Sequence, residues 1–327
     1  MTQPLGSTRR RRRTILAGAL AAGLAMAGCS APAAPSTSPS GSAPAVFPLT
    51  LQNCGQTITL DAPPKRVVAT SLPALEATVA VGAKDSVVGT AGVIKNLSEP
   101  YRTQAAGLKE ISKGGFPPPS KEAVLSVEPD FVVAGYEFDF NPNALGDRAK
   151  LFAGGLQSYL SEGECGEPLM ANAVTDITNY GKLFGKQDRA AELVAEMQKQ
   201  IDTAPTPPKG LRILRIIGDP AKPTRSSHGV GDDMIKRLGG EVALSSTDSM
   251  SALNWEKIID ADPDVILIEG TAANPGDVTI DWIKKYKPAA QLKAVRNDKL
   301  ISMPTTDFQA GLRTGAAFHE LADVLAR

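Results

Sequence analysis

Residues 120–135 read SKEAVLSVEPDFVVAG, and residues 254–269 read NWEKIIDADPDVILIE. Laid together without a gap, they set Ser120 over Asn254, Glu122 over Glu256 and Pro129-Asp130 over Pro263-Asp264. Phe131-Val132-Val133 then falls over Val265-Ile266-Leu267. Ser and Asn are good helix N-caps, because the side-chain oxygen takes up a free backbone N–H. A short amphipathic helix follows, and the proline cannot continue it. The apolar run after Pro-Asp reads as a strand buried on both faces, as in a parallel sheet covered by helices. Two copies of one helix-turn-strand unit, with most of a domain between them, predict two α/β lobes of like construction.

The chain has 327 residues, enough for two domains, and its 42% apolar and 21% charged content is that of a globular protein. Residues 1–28 read as an export signal: Arg9 to Arg13 precede a short apolar run. Arg12-Arg13-Thr14 also fits a twin-arginine pattern. Met26-Ala27-Gly28-Cys29 resembles a lipobox, which makes Cys29 the expected lipidated residue. Residues 29–46 are rich in Ala, Pro, Ser and Gly and read as a flexible tether. Without those five arginines, 30 basic residues face 35 acidic ones, a net charge near −5. No basic stripe with interleaved aromatics is left, which argues against nucleic acid. Cys54 and Cys165 are then the remaining pair in an exported chain, and a disulfide between them is expected.

The expected organisation is a first α/β lobe over 47–173, connecting helices over 174–208 and a second α/β lobe over 209–327. Ile177, Tyr180 and Phe184 share one helical face, and Leu193, Val194, Met197 and Ile201 share another. The pattern breaks near Gly185, which predicts two consecutive helices, the second a rigid connector before Pro205 to Pro208. Ser71 caps a helix closed by Gly82. Residues 218–232 read as a long polar loop.

Neither a nucleophile elbow, nor a P-loop, nor an HExxH zinc motif occurs, and the only histidines are His228 and His319. No enzyme, resident cofactor or metal is expected. In open α/β sheets ligands lie beyond the carboxyl ends of the strands. That placement selects Ser71, Tyr136 and Phe138 in the first lobe. It sets them against Arg225, His228 and Arg313 in the second, with Trp255 as a further wall.

These residues resemble the bacterial ABC-transporter substrate-binding lipoproteins for iron-siderophores, haem and corrinoids. The marks are Pro64-Lys65-Arg66-Val67-Val68 before a strand, Glu76 in the helix after Pro73, and both Pro-Asp strands. Leu292-Lys293-Ala294-Val295, Lys299-Leu300-Ile301 and Gly311-Leu312-Arg313 complete them, from about Phe47 to Arg327. Asn53-Cys54-Gly55, Gly146-Asp147-Arg148-Ala149 and the segment around Cys165 are similar to an actinobacterial branch. Some of its members are assigned to siderophores and some to a deazaflavin cofactor precursor. The resemblance implies two Rossmann-like lobes joined by a long rigid α-helix, with little closure and the ligand between lobes. It implies a monomer, tethered to the outer face of the cytoplasmic membrane, that serves an ABC permease and its ATPase. It further implies outward acidic residues that meet permease arginines: Glu76 in the first lobe, Asp232 or Asp233 in the second.

Overall fold

The computed structural model describes residues 47–99, 101–112, 117–167, 169–226, 230–245, 250–271 and 273–327. The expected signal, Cys29, the tether and His228 lie outside these residues. All the described residues belong to one compact unit, Ser42–Arg327.

The first lobe opens with a hairpin, β1 (Leu49–Asn53) and β2 (Gln56–Leu60), antiparallel and in register from Leu49↔Leu60 to Asn53↔Gln56. Its two-residue turn puts Cys54 at φ 48° and Gly55 at φ 75°, the left-handed pair that a tight hairpin demands. Four parallel strands follow: β3 (Val67–Ala69), β4 (Val87–Thr90), β5 (Phe131–Ala134) and β6 (Gln157–Leu160), in the order β4-β3-β5-β6. Between them run α1 (Leu72–Ala80), α2 (Tyr101–Gln104), α3 (Lys121–Leu125) and α4 (Arg148–Ala153). Successive side chains of a strand point to opposite faces. Val67, Ala69, Phe131 and Val133 therefore enter one core layer, and Val68 and Val132 join Val124, Leu145 and Leu151 in the other.

Two helices follow, α5 (Met170–Phe184) and α6 (Gln187–Asp202). Gly185 ends α5 at φ 63°. The two helices then pack closely: a Cβ at Gly181 would lie 2.5 Å from Ala190 Cβ. α6 has 16 residues and is about 24 Å long at the helical rise.

In the second lobe, β7 (Arg212–Ile217), β11 (Val265–Gly270) and β12 (Leu300–Pro304) are parallel. The polar stretch expected as a loop instead contains β8 (Thr224–Ser226), antiparallel to β7 and to β10 (Met250–Ala252), while the short β9 (Glu241–Val242) also joins β7. The helices are α7 (Gly231–Arg237), α8 (Trp255–Ala261), α9 (Gly276–Lys285), α10 (Lys293–Arg296) and α11 (Thr314–Ala326). Ile213, Val265 and Leu267 pack under α7 and α11, while Leu214, Ile266 and Ile268 pack under α8. Both sheets are thus covered on both faces.

The repeated unit explains this likeness. Ser120 Oγ accepts from Ala123 N at 3.2 Å, and Asn254 Oδ1 from Lys257 N at 2.9 Å, so both copies are capped alike. Before each proline stands a left-handed residue, Glu128 at φ 48° and Asp262 at φ 39°, which reverses the chain one step ahead of the ring. Asp130 then accepts from Lys65 N and Arg66 N at 2.9 Å each, and Asp264 from Arg212 N at 2.9 Å. The aspartate of each Pro-Asp therefore pins the start of the neighbouring strand.

Candidate functional site

The carboxyl ends of the two sheets meet along a seam. On the first-lobe side, β5 leads through Gly135 to Tyr136, and the one-turn helix Glu137–Phe140 follows. Tyr136 and Phe138 stack with centroids 4.7 Å apart and planes 10° from parallel. The Tyr136 hydroxyl donates to Gln309 Oε1 of the second lobe at 2.7 Å. Burial pushes the Tyr136 phenol well up, so it stays a neutral donor. Beneath it, burial raises the Asp139 carboxyl to about 7, against the Thr70 hydroxyl that donates to it at 2.6 Å.

Two small cavities lie on the seam, each of about 10 Å³. One is lined by Tyr136, Ser161, Glu164 and Gln309, the other by Pro73, Glu76, Thr306 and Arg313. Each is about the size that one water needs. With the Tyr136 hydroxyl on Gln309, neither has room for more than a water. A larger cavity of about 380 Å³ lies beside the seam, where Ser98 and Tyr101, Leu193 and Met197 of α6, and Asp307 and Glu320 meet.

Several expected residues take other places. Arg313 does not stand free in the cleft. It bridges the lobes, donating Nε to Glu76 Oε2 at 2.8 Å, Nη2 to Glu76 Oε1 at 3.1 Å and Nη2 to Asn96 O at 3.0 Å. Glu76 in turn is not an outward charge: it is 2% exposed and also accepts from Ser98 N at 3.0 Å and from the Ser98 hydroxyl. A carboxylate buried at the α1–α2 contact needs such partners, and Arg313 supplies the cation. Burial works against the Arg313 charge, but the Glu76 and Asp307 carboxylates outweigh it and raise its pKa. Asp307, 3.6 Å from Arg313, is pushed up to about 6, first by burial.

Asp232 and Asp233 are also engaged. Asp232 accepts from Arg215 at 2.8 Å and Arg225 at 2.7 Å, and Asp233 accepts from Met170 N and Arg237 at 2.9 Å each. Arg225 is 1% exposed, so it does not line an open cleft; its Nε and Nη1 are buried without an acceptor among the described residues. Arg215 also pairs with Glu269 at 2.6 Å and lies over the Phe308 ring. Ser71 is buried as the cap of α1, its Oγ accepting from Ala74 N at 3.3 Å. Trp255 turns into its own lobe, packing on Trp282 and Tyr286 and donating Nε1 to Pro220 O at 2.9 Å. Of the expected ligand set, the seam brings Tyr136 and Phe138 together and adds Gln309. No periodicity marks Gln309; only its place after β12 could have selected it.

Cys54 and Cys165 form a disulfide with Cα atoms 5.2 Å apart. With Glu162 their sulfurs lie within 4.8 Å of one another, and the bridge takes both sulfurs out of metal chemistry. Among the described residues no helix is long and apolar enough to cross a membrane.

A family model described as periplasmic binding protein matches residues 67–306. The chain is 23% identical over 324 residues to an uncharacterized ABC transporter substrate-binding lipoprotein, YvrC, of Bacillus subtilis, covering 96% of this chain and 97% of that protein. It is 28% identical over 267 residues to a cobalamin-binding protein of Halobacterium salinarum, covering 78% of this chain and 67% of the other. The fold is similar to that of an ABC-type Fe3+-hydroxamate transport system from Saccharomonospora viridis. There the TM-score is 0.73 at 21% identity, over 86% of this chain and all of the other.

Proposed function

The chain belongs to the periplasmic binding protein family, and from that premise we propose that it is the extracytoplasmic solute-binding component of an ABC importer. It binds its ligand between the lobes and hands it to a permease driven by an ATPase. The observation that carries this reading is the facing pair at the seam. Tyr136, stacked on Phe138, meets Gln309 across the carboxyl ends of the two sheets. An aromatic wall with a phenol and an amide opposite suits a ligand with a flat or apolar body and oxygen acceptors. A ferric hydroxamate-type chelate has that chemistry, with the metal as cargo.

A corrinoid is the second reading, favoured by the 28% identity to a cobalamin-binding relative. Haem is a third reading, with Tyr136 as the candidate axial ligand once its hydroxyl leaves Gln309. Lipidation at Cys29 and export follow the same reading, supported by the lipoprotein relative that aligns over 96% of this chain. The proposed protein binds and releases; it carries out no chemistry on its ligand. Native mass spectrometry with an absorbance spectrum, on protein purified from its own host, tests this. A bound mass with a visible band supports the reading. A colourless, ligand-free protein that ignores ferric hydroxamate, cobalamin and haem rejects it.

A further inference from the structure

The turn that carries the second cysteine touches both the amino-terminal hairpin and the seam. Cys165 follows the one-turn helix Glu162–Glu164 and is bonded to Cys54 at the hairpin tip. The same turn is held from two other sides. Asn53 Nδ2 donates to Leu160 O at 2.8 Å and to Glu162 Oε1 at 3.0 Å. Asp176 of α5 accepts from Ser161 Oγ at 2.6 Å and from Glu162 N at 3.0 Å. Arg148 secures the hairpin end, donating to Cys54 O at 3.2 Å and Ser158 O at 2.6 Å.

At the seam end of this turn stands Glu164. Its Oε2 accepts from the backbone N–H of Glu137 at 2.9 Å. Glu137 stands between Tyr136 and Phe138 in the chain and opens the one-turn helix Glu137–Phe140. The first N–H groups of a helix have no partner inside it, and a carboxylate from elsewhere satisfies one of them and suits the positive end of the turn. Glu164 also lines the seam cavity, together with Gly163 of the same turn and with Tyr136 and Gln309.

We propose that Glu164 is a positioning residue for the ligand wall. From a turn closed by the Cys54–Cys165 bridge, it fixes the backbone between Tyr136 and Phe138, so that the Tyr136 hydroxyl meets the second lobe. The proposal rests on the reading of Tyr136 and Phe138 as that wall. It gives the bridge a part in binding as well as in stability. A surface turn that is free to move would lose conformational freedom each time it held Glu137, and the bridge removes much of that freedom beforehand.

The test uses the exported chain with its bridge intact and compares wild type, Glu164→Ala, Glu164→Gln and the pair Cys54→Ser with Cys165→Ser. Each is titrated by fluorescence with a ferric hydroxamate chelate and with cyanocobalamin. Hydrogen exchange is followed on a peptide covering residues 136–140. Glu164→Ala should weaken the probe that binds wild type by about tenfold, as expected when a charged hydrogen bond is lost. It should also speed exchange at Glu137, with little change in melting temperature. Glu164→Gln keeps an acceptor oxygen and should stay within about threefold of wild type, at the lower, neutral end of hydrogen-bond strength. The serine pair should follow Glu164→Ala in affinity and exchange. Equal affinity and unchanged exchange in Glu164→Ala overturn the proposal, as does an equal loss in Glu164→Gln. If neither probe binds wild type, the ligand reading fails by itself, and exchange at Glu137 alone decides the positioning role.

Discussion

Removal of the Arg313 guanidinium is the sharpest perturbation of the contact between the lobes. The Glu76 side chain is 3% exposed and that of Arg313 is 20% exposed. Breaking a buried pair from one side costs about 3–5 kcal/mol, since the other charge is left in a poor solvent. Glu76 would keep its two donors from Ser98, and Arg313 is partly wet, so the lower end applies. Arg313→Ala should therefore cost about 3 kcal/mol by urea melts at pH 7. For a chain of this size that lowers Tm by about 5 °C. Glu76→Gln by itself should cost less, because a neutral amide can still accept from Ser98. The double variant should cost about 2 kcal/mol less than the sum of the two, which is the coupling of a direct pair. The contact joins different lobes, so small-angle scattering of Arg313→Ala should also show a larger radius of gyration. Additive costs within about 0.5 kcal/mol, or an unchanged radius, would refute the bridge as a tie between lobes.

Other perturbations read different parts of the molecule. Asp139 is raised to about 7 from 3.8, so its contribution to stability is full below pH 4 and is lost as pH rises through 7. Asp139→Asn should then flatten the fall in stability between pH 4 and 7 while keeping an acceptor for Thr70; an unchanged slope in pH-dependent melts counts against it. Gly181→Ala sets a methyl 2.5 Å from Ala190 Cβ and should cost about 1–3 kcal/mol by overpacking α5 on α6, with Ala190→Gly restoring most of it. Loss of the cystine, which spans 111 positions, should cost about 2–5 kcal/mol, and alkylation of unreduced, unfolded protein should find neither Cys54 nor Cys165 reactive.

Much of the fold was legible because its signals are local. Ser120 and Asn254 cap their own helices, and each Pro-Asp sits at a chain reversal, so a short window contains both cause and effect. Gly185 ended a helix for the same reason. The edge hairpin of the second sheet was not legible, since Thr224-Arg225-Ser226 has no apolar alternation and becomes a strand only by pairing with β7 and β10. The site was less legible still. Glu76 and Arg313 lie 237 positions apart, and charged residues are usually exposed, so Glu76 reads as an outward charge and Arg313 as a ligand contact, whereas the two pair with each other. Trp255 follows a helix cap, as a cleft residue could, but its ring is spent on Trp282 and Tyr286. The place of Tyr136 at the carboxyl end of the sheet was legible because it comes two residues after a buried strand.

The central claim is that a ligand binds between the lobes at Tyr136 and Gln309. Calorimetric titration of wild type, Tyr136→Ala and Gln309→Ala with a ferric hydroxamate chelate, and separately with cyanocobalamin, tests it most directly. The account predicts one-to-one binding of one of them to wild type. Each variant should weaken that binding by at least about fivefold, the loss expected of about one hydrogen bond, with the fold intact. Binding that survives both substitutions unchanged, or no saturable binding of either probe to wild type, contradicts it.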